Sequence, residues 1–362
     1  MMTALRLAAK GRSTASPNPM VGAIVVKRGR VVGEGYHLRP GLPHAELLAL
    51  RQAGIRSRGG TLYVTLEPCC HLNKRTAPCV PAILESGIRR VVIAQRDPNP
   101  SVNGRGIAAL RRAGRAVTLS VARRHAESLN RTYRHWIRTK RPYVMLKAGM
   151  TLDGQIATSS GEAKWITSQA SRREVHELRS QVDAILIGVG TVLSDNPSLT
   201  ARVGSELKRL ANKQPLRVVV DSRLRTPLHA KVLRRIDGAR TLIATTPAAP
   251  LARRLRFERQ GVEVIIVPRV NGRVSLPALM RELGKRGITS LLVEGGGEIN
   301  GAMLKSKLVQ RVRLYIAPAL LGGSDAKGMI GGKSPGRLAG ALKLKHISTR
   351  SLGGDFVVEG DL

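Results

Sequence analysis

Apolar positions along this chain follow two rhythms, short runs rich in Val, Ile and Leu and longer stretches with helical spacing. Glycine or proline marks most switches between them. The opening MMTALRLAAK predicts an amphipathic helix. MVGAIVVKRGRVVGEGYH predicts a β-hairpin, two apolar runs around the turn Lys27-Arg28-Gly29-Arg30. HAELLALRQAG predicts a helix stopping at Gly54, TLYVTLEP a buried strand ending at Pro68, and PCVPAILESGI a helix stopping at Gly87. RRVVIAQRDP is another strand, and GRGIAALRRAGRAVTLSV repeats helix, glycine, strand. Such alternation implies a largely parallel sheet sandwiched by helices.

Residues 131 to 142, RTYRHWIRTKRP, read as a basic irregular stretch before the next strand, YVMLKAGMTLDG. The boundary falls at Arg141–Pro142, giving domains over 1–141 and 142–362. The second block alternates again. AILIGVGTVL, RVVVDSRLR, TLIATT, VEVIIVP, TSLLVEGGG and VRLYIAPALLGG predict strands, with helices over 169–181 and 298–306. There is no internal repeat and no low-complexity segment.

Composition sharpens this picture. A length of 362 residues suits two domains, and 42% hydrophobic residues is ordinary for globular chains. Aromatics are only 2%, so the cores must rest on aliphatic side chains. No apolar run is long enough to span a bilayer, and the start lacks a secretory signal, so a cytoplasmic protein is expected. The net charge of +37 attracts polyanions without selectivity. The basic residues are nevertheless dispersed and the stacking aromatics of nucleic-acid binders are nearly missing, so no specific nucleic acid is expected. Phosphorylated substrates are the simpler partners.

The three cysteines, Cys69, Cys70 and Cys79, are an odd, tight cluster and a poor disulfide framework. They point to metal. With His44, two of the thiolates make a three-ligand zinc site whose fourth position stays open to water, the arrangement of catalytic zinc. Glu46, two residues beyond His44 at a helix start, can reach that water and move its proton. Cys69 and Cys70 compete as first thiolate. Cys69 is preferred because it follows Glu67-Pro68 where the strand ends.

SPNPMVGAIVV, GYH followed by PHAE, TLEPCCH, KRTAPC and RDPNP resemble the deaminase half of the bifunctional riboflavin-biosynthesis deaminase/reductase family. Nine residues separate Cys69 from Cys79, a loop similar to that family's and unlike the Pro-Cys-x-x-Cys of cytidine and tRNA deaminases. The commoner family loop is one residue shorter, so Asn73-Lys74 looks like an insertion, and the chain begins almost inside its first helix. The resemblance implies a cytidine-deaminase-like three-layer α/β/α domain, zinc on His44, Cys69 and Cys79, and Glu46 as proton shuttle. Asn18 resembles the family residue near the pyrimidine, or is a plain Pro-Asn-Pro turn. His71 and Lys74 are candidate phosphate contacts.

In the second block, SLLVEGGGEINGAML places three glycines between a strand and a helix, where backbone N–H groups and the helix dipole favour a phosphate. RPYVMLKAGMTLDG, GEAKWIT, HELRS, DAILIGVGTVLSDNPSLTAR, VVVDS and LLVEGGG resemble the reductase half of the same family, whose fold is similar to dihydrofolate reductase. That resemblance implies an α/β domain binding NADPH through Gly149, Trp165, Thr191, Asp195 and Ser222. The glycine turn would add Gly296, Gly297, Glu298, Ile299, Asn300, Gly301 and Ala302. Substrate contacts are implied for Ala163, Arg179, Leu199, Arg202 and Glu294, with Ala163 standing where the family commonly has Ser. Arg179 and Arg202 offer forks for a ribose 5-phosphate. Asp195 and Lys147 are the ionisable candidates to protonate the alkoxide left by hydride delivery, Asp195 preferred.

The expected activities are hydrolytic deamination of 2,5-diamino-6-ribosylamino-4(3H)-pyrimidinone 5′-phosphate, then NADPH reduction of the ribosyl side chain to give 5-amino-6-ribitylaminouracil 5′-phosphate. The resemblance also implies a homo-oligomer, dimer or tetramer. The alternative is a nucleoside or tRNA deaminase with an unrelated appended domain, which leaves VEGGG and SDNPSLT unexplained.

Overall fold

The computed structural model describes residues 1–71, 76–202 and 214–362. Contacts divide the chain into two compact units, Met1–Lys140 and Arg141–Leu362. No helix among the described residues is long and apolar enough to cross a membrane.

The first unit holds five strands, β1 (Gly22–Lys27), β2 (Arg30–Tyr36), β3 (Thr61–Val64), β4 (Arg90–Ile93) and β5 (Ala116–Leu119), in the order β2-β1-β3-β4-β5. β1 runs antiparallel to both β2 and β3, while β3, β4 and β5 are parallel. The expected largely parallel sheet is thus mixed here. The hairpin forces it, because a two-residue turn can only join antiparallel strands. Around the sheet lie α1 (Met2–Ala9), α2 (Ala45–Ala53), α3 (Cys79–Glu85), α4 (Arg105–Arg112), α5 (Arg123–Leu129) and α6 (Arg131–Thr139). α2 crosses β2 so closely that a Cβ on Gly33 or Gly35 would strike the α2 backbone. Those two glycines let the helix, and His44 at its start, lie down on the sheet.

The Arg131–Pro142 stretch corrects the sequence reading. It is not irregular: residues 131–139 form α6. Its one buried residue is Tyr133, whose hydroxyl donates to Asp97 at 3.0 Å. A single inward anchor leaves no apolar periodicity to read, and Arg and Lys are good helix formers on the solvated faces.

The second unit is built on β6 (Tyr143–Thr151), β8 (Ala184–Gly188), β9 (Leu216–Val220), β10 (Thr241–Thr245), β11 (Glu263–Ile266), β14 (Ser290–Val293), β15 (Arg311–Ala317), β17 (Lys345–Leu352) and β18 (Asp355–Asp361). Two short antiparallel pairs stand apart, β7 (Gln155–Ala157) with β16 (Lys327–Gly328) and β12 (Arg269–Val270) with β13 (Arg273–Val274). The large sheet runs β11-β10-β9-β8-β14-β6-β15-β18-β17. It is parallel from β11 to β15, and an antiparallel β17–β18 hairpin that the sequence reading did not assign closes its edge. Its strands bury both faces: Leu146, Leu186, Val218 and Leu291 enter one cluster, and Ile185, Val219, Ile243 and Leu292 the other.

Among the described residues the α-helices of this unit are α7 (Gln169–Ser180), α8 (Val189–Asp195), α9 (Leu251–Arg259), α10 (Leu276–Lys285) and α11 (Gly297–Lys305). AILIGVGTVL is a strand only as far as Gly188, and its remaining residues belong to α8. Val189 and Val192 are the buried positions of that helix, a helical spacing that a short apolar run cannot distinguish from a strand.

Candidate active sites

In the first unit, His44 and Pro78 sit at the N-caps of α2 and α3. Cys79 opens α3, and Cys69 leaves the chain that follows β3. The backbone N–H groups of Cys79 and Val80 both donate to the Cys69 carbonyl, at 3.0 and 3.2 Å, which closes the long cysteine loop on itself. Three ligand atoms therefore converge. His44 Nδ1 lies 3.5 Å from Cys69 Sγ and 3.2 Å from Cys79 Sγ, and the two sulfurs are 3.4 Å apart. Tetrahedral zinc with the usual bond lengths would set such atoms roughly 3.5–3.8 Å apart. The donor set fits the ion, and two helix N-termini favour its thiolates. Among the described residues this is the group of His, Cys and acidic side chains able to hold a metal, and Cys70 lies outside it. Burial pushes the Cys70 thiol up, with Glu67 adding to the shift. We expect Cys69→Ser to lose stoichiometric zinc and Cys70→Ser to keep it, measured by atomic absorption after dialysis.

Glu46 is buried beside this cluster and its Oε2 has no hydrogen-bond partner. Burial raises its pKa, the neighbouring Cys69 sulfur adds to the rise, and His44 opposes it. An orphaned buried carboxyl oxygen next to three ligand atoms is what a proton shuttle to a zinc-activated water requires. The other ring nitrogen of His44 is 3.1 Å from Thr76 Oγ1, a contact that orients the imidazole with Nδ1 towards the sulfurs.

The sequence reading did not single out His37. Its ring packs edge-on to His44, centroids 5.3 Å apart. Its Nε2 is 3.0 Å from Asn18 Nδ2, and an amide nitrogen only donates, so Nε2 accepts. Asn18 is therefore more than a turn residue: through His37 it is tied to His44 of the candidate metal cluster. Glu67 accepts from the N–H groups of Asp97, Gly104 and Ile107, which fixes the RDPNP loop. Lys74 and Asn73 lie outside the described residues.

In the second unit a cleft of about 1490 Å³ opens along the glycine turn, larger than the ~300–1,000 Å³ of a site for one small ligand. It is lined by Gly149, Trp165, Thr191, Asp195, Ser222, Gly296, Gly297, Glu298, Ile299 and Ala302, and by Ala163, Arg179, Leu199, Arg202 and Glu294. Asn300 and Gly301 are not among the lining residues. Asn300 is fully buried and donates to the Met329 carbonyl at 3.0 Å, and a Cβ on Gly301 would strike the backbone at Gly331. These two pack α11 against the 329–331 segment. Trp165 is exposed, with the Arg172 guanidinium 4.4 Å above its ring.

At the cleft wall Glu294, just past β14, accepts both arms of the Arg179 fork, at 2.7 and 2.9 Å, and Lys147 of β6 approaches the same carboxylate at 3.5 Å. Burial alone would raise the Glu294 pKa, but Arg179 and Lys147 outweigh it and hold the carboxyl down at about 2. Lys147 moves the other way, its pKa lowered by burial against the pull of Glu294. Arg179 Nη1 donates to the Thr200 carbonyl at 3.3 Å. The Arg179 fork, expected to face a phosphate, is thus engaged by Glu294. Arg202, by contrast, is exposed.

Comparison with known proteins gives a consistent result for both units. Residues 1–95 match the family described as cytidine and deoxycytidylate deaminase zinc-binding region, and residues 142–358 match the RibD C-terminal domain. The riboflavin biosynthesis protein RibD of Actinobacillus pleuropneumoniae is 44% identical over 99% of this chain and 93% of its own length. That of Escherichia coli K12 is 43% identical over 98% of this chain and 96% of its own. Among solved structures, Acinetobacter baumannii RibD (form 1) superposes with a TM-score of 0.90 at 34% identity, covering 100% of this chain and 97% of that one. A Thermotoga maritima diaminohydroxyphosphoribosylaminopyrimidine deaminase/5-amino-6-(5-phosphoribosylamino)uracil reductase gives 0.86 at 35%, with the same coverage.

Proposed function

The chain belongs to the RibD family, bifunctional deaminase/reductases of riboflavin biosynthesis, and from that premise we propose how its residues divide the work. Residues 1–141 carry the deamination of 2,5-diamino-6-ribosylamino-4(3H)-pyrimidinone 5′-phosphate, and residues 142–362 reduce the ribosyl chain of the product with NADPH. The observation that carries the first half is the unpartnered, buried Glu46 Oε2 beside three convergent zinc ligands. Bound zinc would supply Lewis acidity, bringing the pKa of a water towards about 7. Glu46 takes one proton from the attacking water and gives it to the ring nitrogen, then takes the proton of the newly added hydroxyl and gives it to the amine, which leaves as ammonia when the C–N bond breaks. Burial makes this exchange feasible, because it keeps the carboxyl's proton affinity high. Asn18 and His37, locked together, hold the pyrimidine.

In the second half bound NADPH would supply the hydride. Backbone N–H groups of the glycine turn and the N-terminus of α11 would hold its phosphates. Arg202 meets the substrate's 5′-phosphate. Glu294, aligned by Arg179, accepts from a sugar hydroxyl at the cleft wall. Asp195 is the proposed proton donor to the alkoxide. A second reading, Lys147, is favoured by one observation: it is a buried ammonium at the cleft wall whose pKa is lowered by burial, so its proton is more readily given. Asp195→Asn and Lys147→Met should both keep ammonia release. The donor is the one whose loss costs about 10²–10⁴-fold in NADPH oxidation, read from the near-ultraviolet absorbance of the reduced nicotinamide. Near-full activity in both variants would remove both candidates. The protein works in the cytoplasm, as a homo-oligomer, on this reading.

A further inference from the structure

His176, on α7, lines the reductase cleft, and the proposed division of work gives it no part. Its hydrogen bonds define its state. Nε2 is 3.1 Å from Arg202 Nη2, and a guanidinium has donors only, so Nε2 must present its lone pair. The ring proton of the neutral imidazole is then on Nδ1, 3.2 Å from the Thr200 carbonyl. The backbone N–H of Arg202 also points at this nitrogen, at 3.3 Å, so main chain and side chain of Arg202 are both held against the one ring. Thr200 also receives Arg179 Nη1, so one carbonyl anchors both the histidine and the arginine of the ion cluster. The neutral form is stable here: burial first, then the charges of Arg179 and Arg202, bring the His176 pKa down to about 4, with the Thr200 hydrogen bond and Glu294 opposing them.

A neutral acceptor is the right partner for an anion-binding arginine. A carboxylate would fix the guanidinium equally well but cancel its charge and compete with the ligand. Among the described residues no carboxylate pairs with Arg202, and its side chain is exposed at the cleft. We infer that His176 is a positioning residue that aims the Arg202 guanidinium into the cleft, to hold the substrate's 5′-phosphate without neutralising the arginine. The inference rests on the reading that Arg202 meets that phosphate.

The test uses the full-length, zinc-loaded protein and three variants. His176→Leu removes the acceptor. His176→Gln keeps an amide oxygen able to reach the Nε2 position, and Arg202→Ala removes the cation itself. We expect His176→Leu to raise the reductase KM for the phosphorylated pyrimidine about tenfold, the size of one charge-assisted hydrogen bond. Its kcat should stay within about twofold, as for a loss of uniform binding. Inhibition by inorganic phosphate should weaken in parallel, NADPH affinity by fluorescence should be unchanged, and His176→Gln should recover most of the KM. An unchanged KM in His176→Leu, a His176→Gln as impaired as it, or a joint fall in kcat and NADPH affinity would overturn the inference. If Arg202→Ala itself leaves KM unaltered, the phosphate reading of Arg202 fails, and that failure is visible separately from the others.

Discussion

Replacing Glu46 with glutamine is expected to slow ammonia release from the diaminopyrimidine phosphate by about 10²–10⁴-fold, the range attributed to one positioned acid–base group. The amide has the carboxylate's shape but cannot take and return a proton. Zinc content should not change, because the ligand atoms belong to His44, Cys69 and Cys79. NADPH oxidation with the already deaminated substrate should also be unchanged. Retained zinc is the control for folding of the first unit, since its ligand atoms come from three separated segments of that unit.

The second large effect concerns Glu294. Its carboxylate is the shared anion of Arg179 and Lys147, and all three side chains are largely buried. Glu294→Ala leaves two cations facing each other without their counter-charge, which for a buried cluster costs about 3–5 kcal/mol. The reductase should lose activity and unfold at lower denaturant concentration, while ammonia release continues under native conditions. The pH dependence has a definite sign. Glu294 is held at about 2, below its ordinary 4.5. The stability it contributes is therefore complete above pH 4.5 and drains away as pH falls towards 2. Glu294→Ala should flatten that acid limb, which chemical denaturation across the window would show.

Much of the deaminase site was legible because its chemistry is local. His44 and Glu46 share one helix start, Cys69 and Cys79 one loop, and few other fates suit cysteines so spaced. The choice of Cys69 over Cys70 needed the strand end, and the geometry groups Cys69 with the other two ligand atoms. His37 stands in the GYH segment but drew no role of its own, because a lone histidine after a hairpin names no partner; its packing on His44 and its bond to Asn18 supply one. α6 was missed for a related reason, one anchoring tyrosine among solvated cations. In the reductase, resemblance gathered residues that line one cleft but not their pairings. Arg179 and Glu294 are 115 positions apart, and nothing in either segment says that the arginine's fork is engaged by the glutamate. Likewise Asn300 and Gly301 belong to a glycine-rich turn, yet the close approach of residues 329–331 turns them into packing residues.

On this reading one chain performs a zinc-dependent deamination and then a reduction of the same molecule. A single reaction tests it most directly: full-length zinc-loaded protein, the diaminopyrimidine ribosyl phosphate and NADPH, with ammonia and NADPH followed together. Ammonia should appear first and NADPH oxidation follow, one for one. Chelating the zinc beforehand should stop both, and adding deaminated substrate should restore the second alone. Ammonia release without NADPH oxidation, or deamination of tRNA in place of the pyrimidine phosphate, would contradict it.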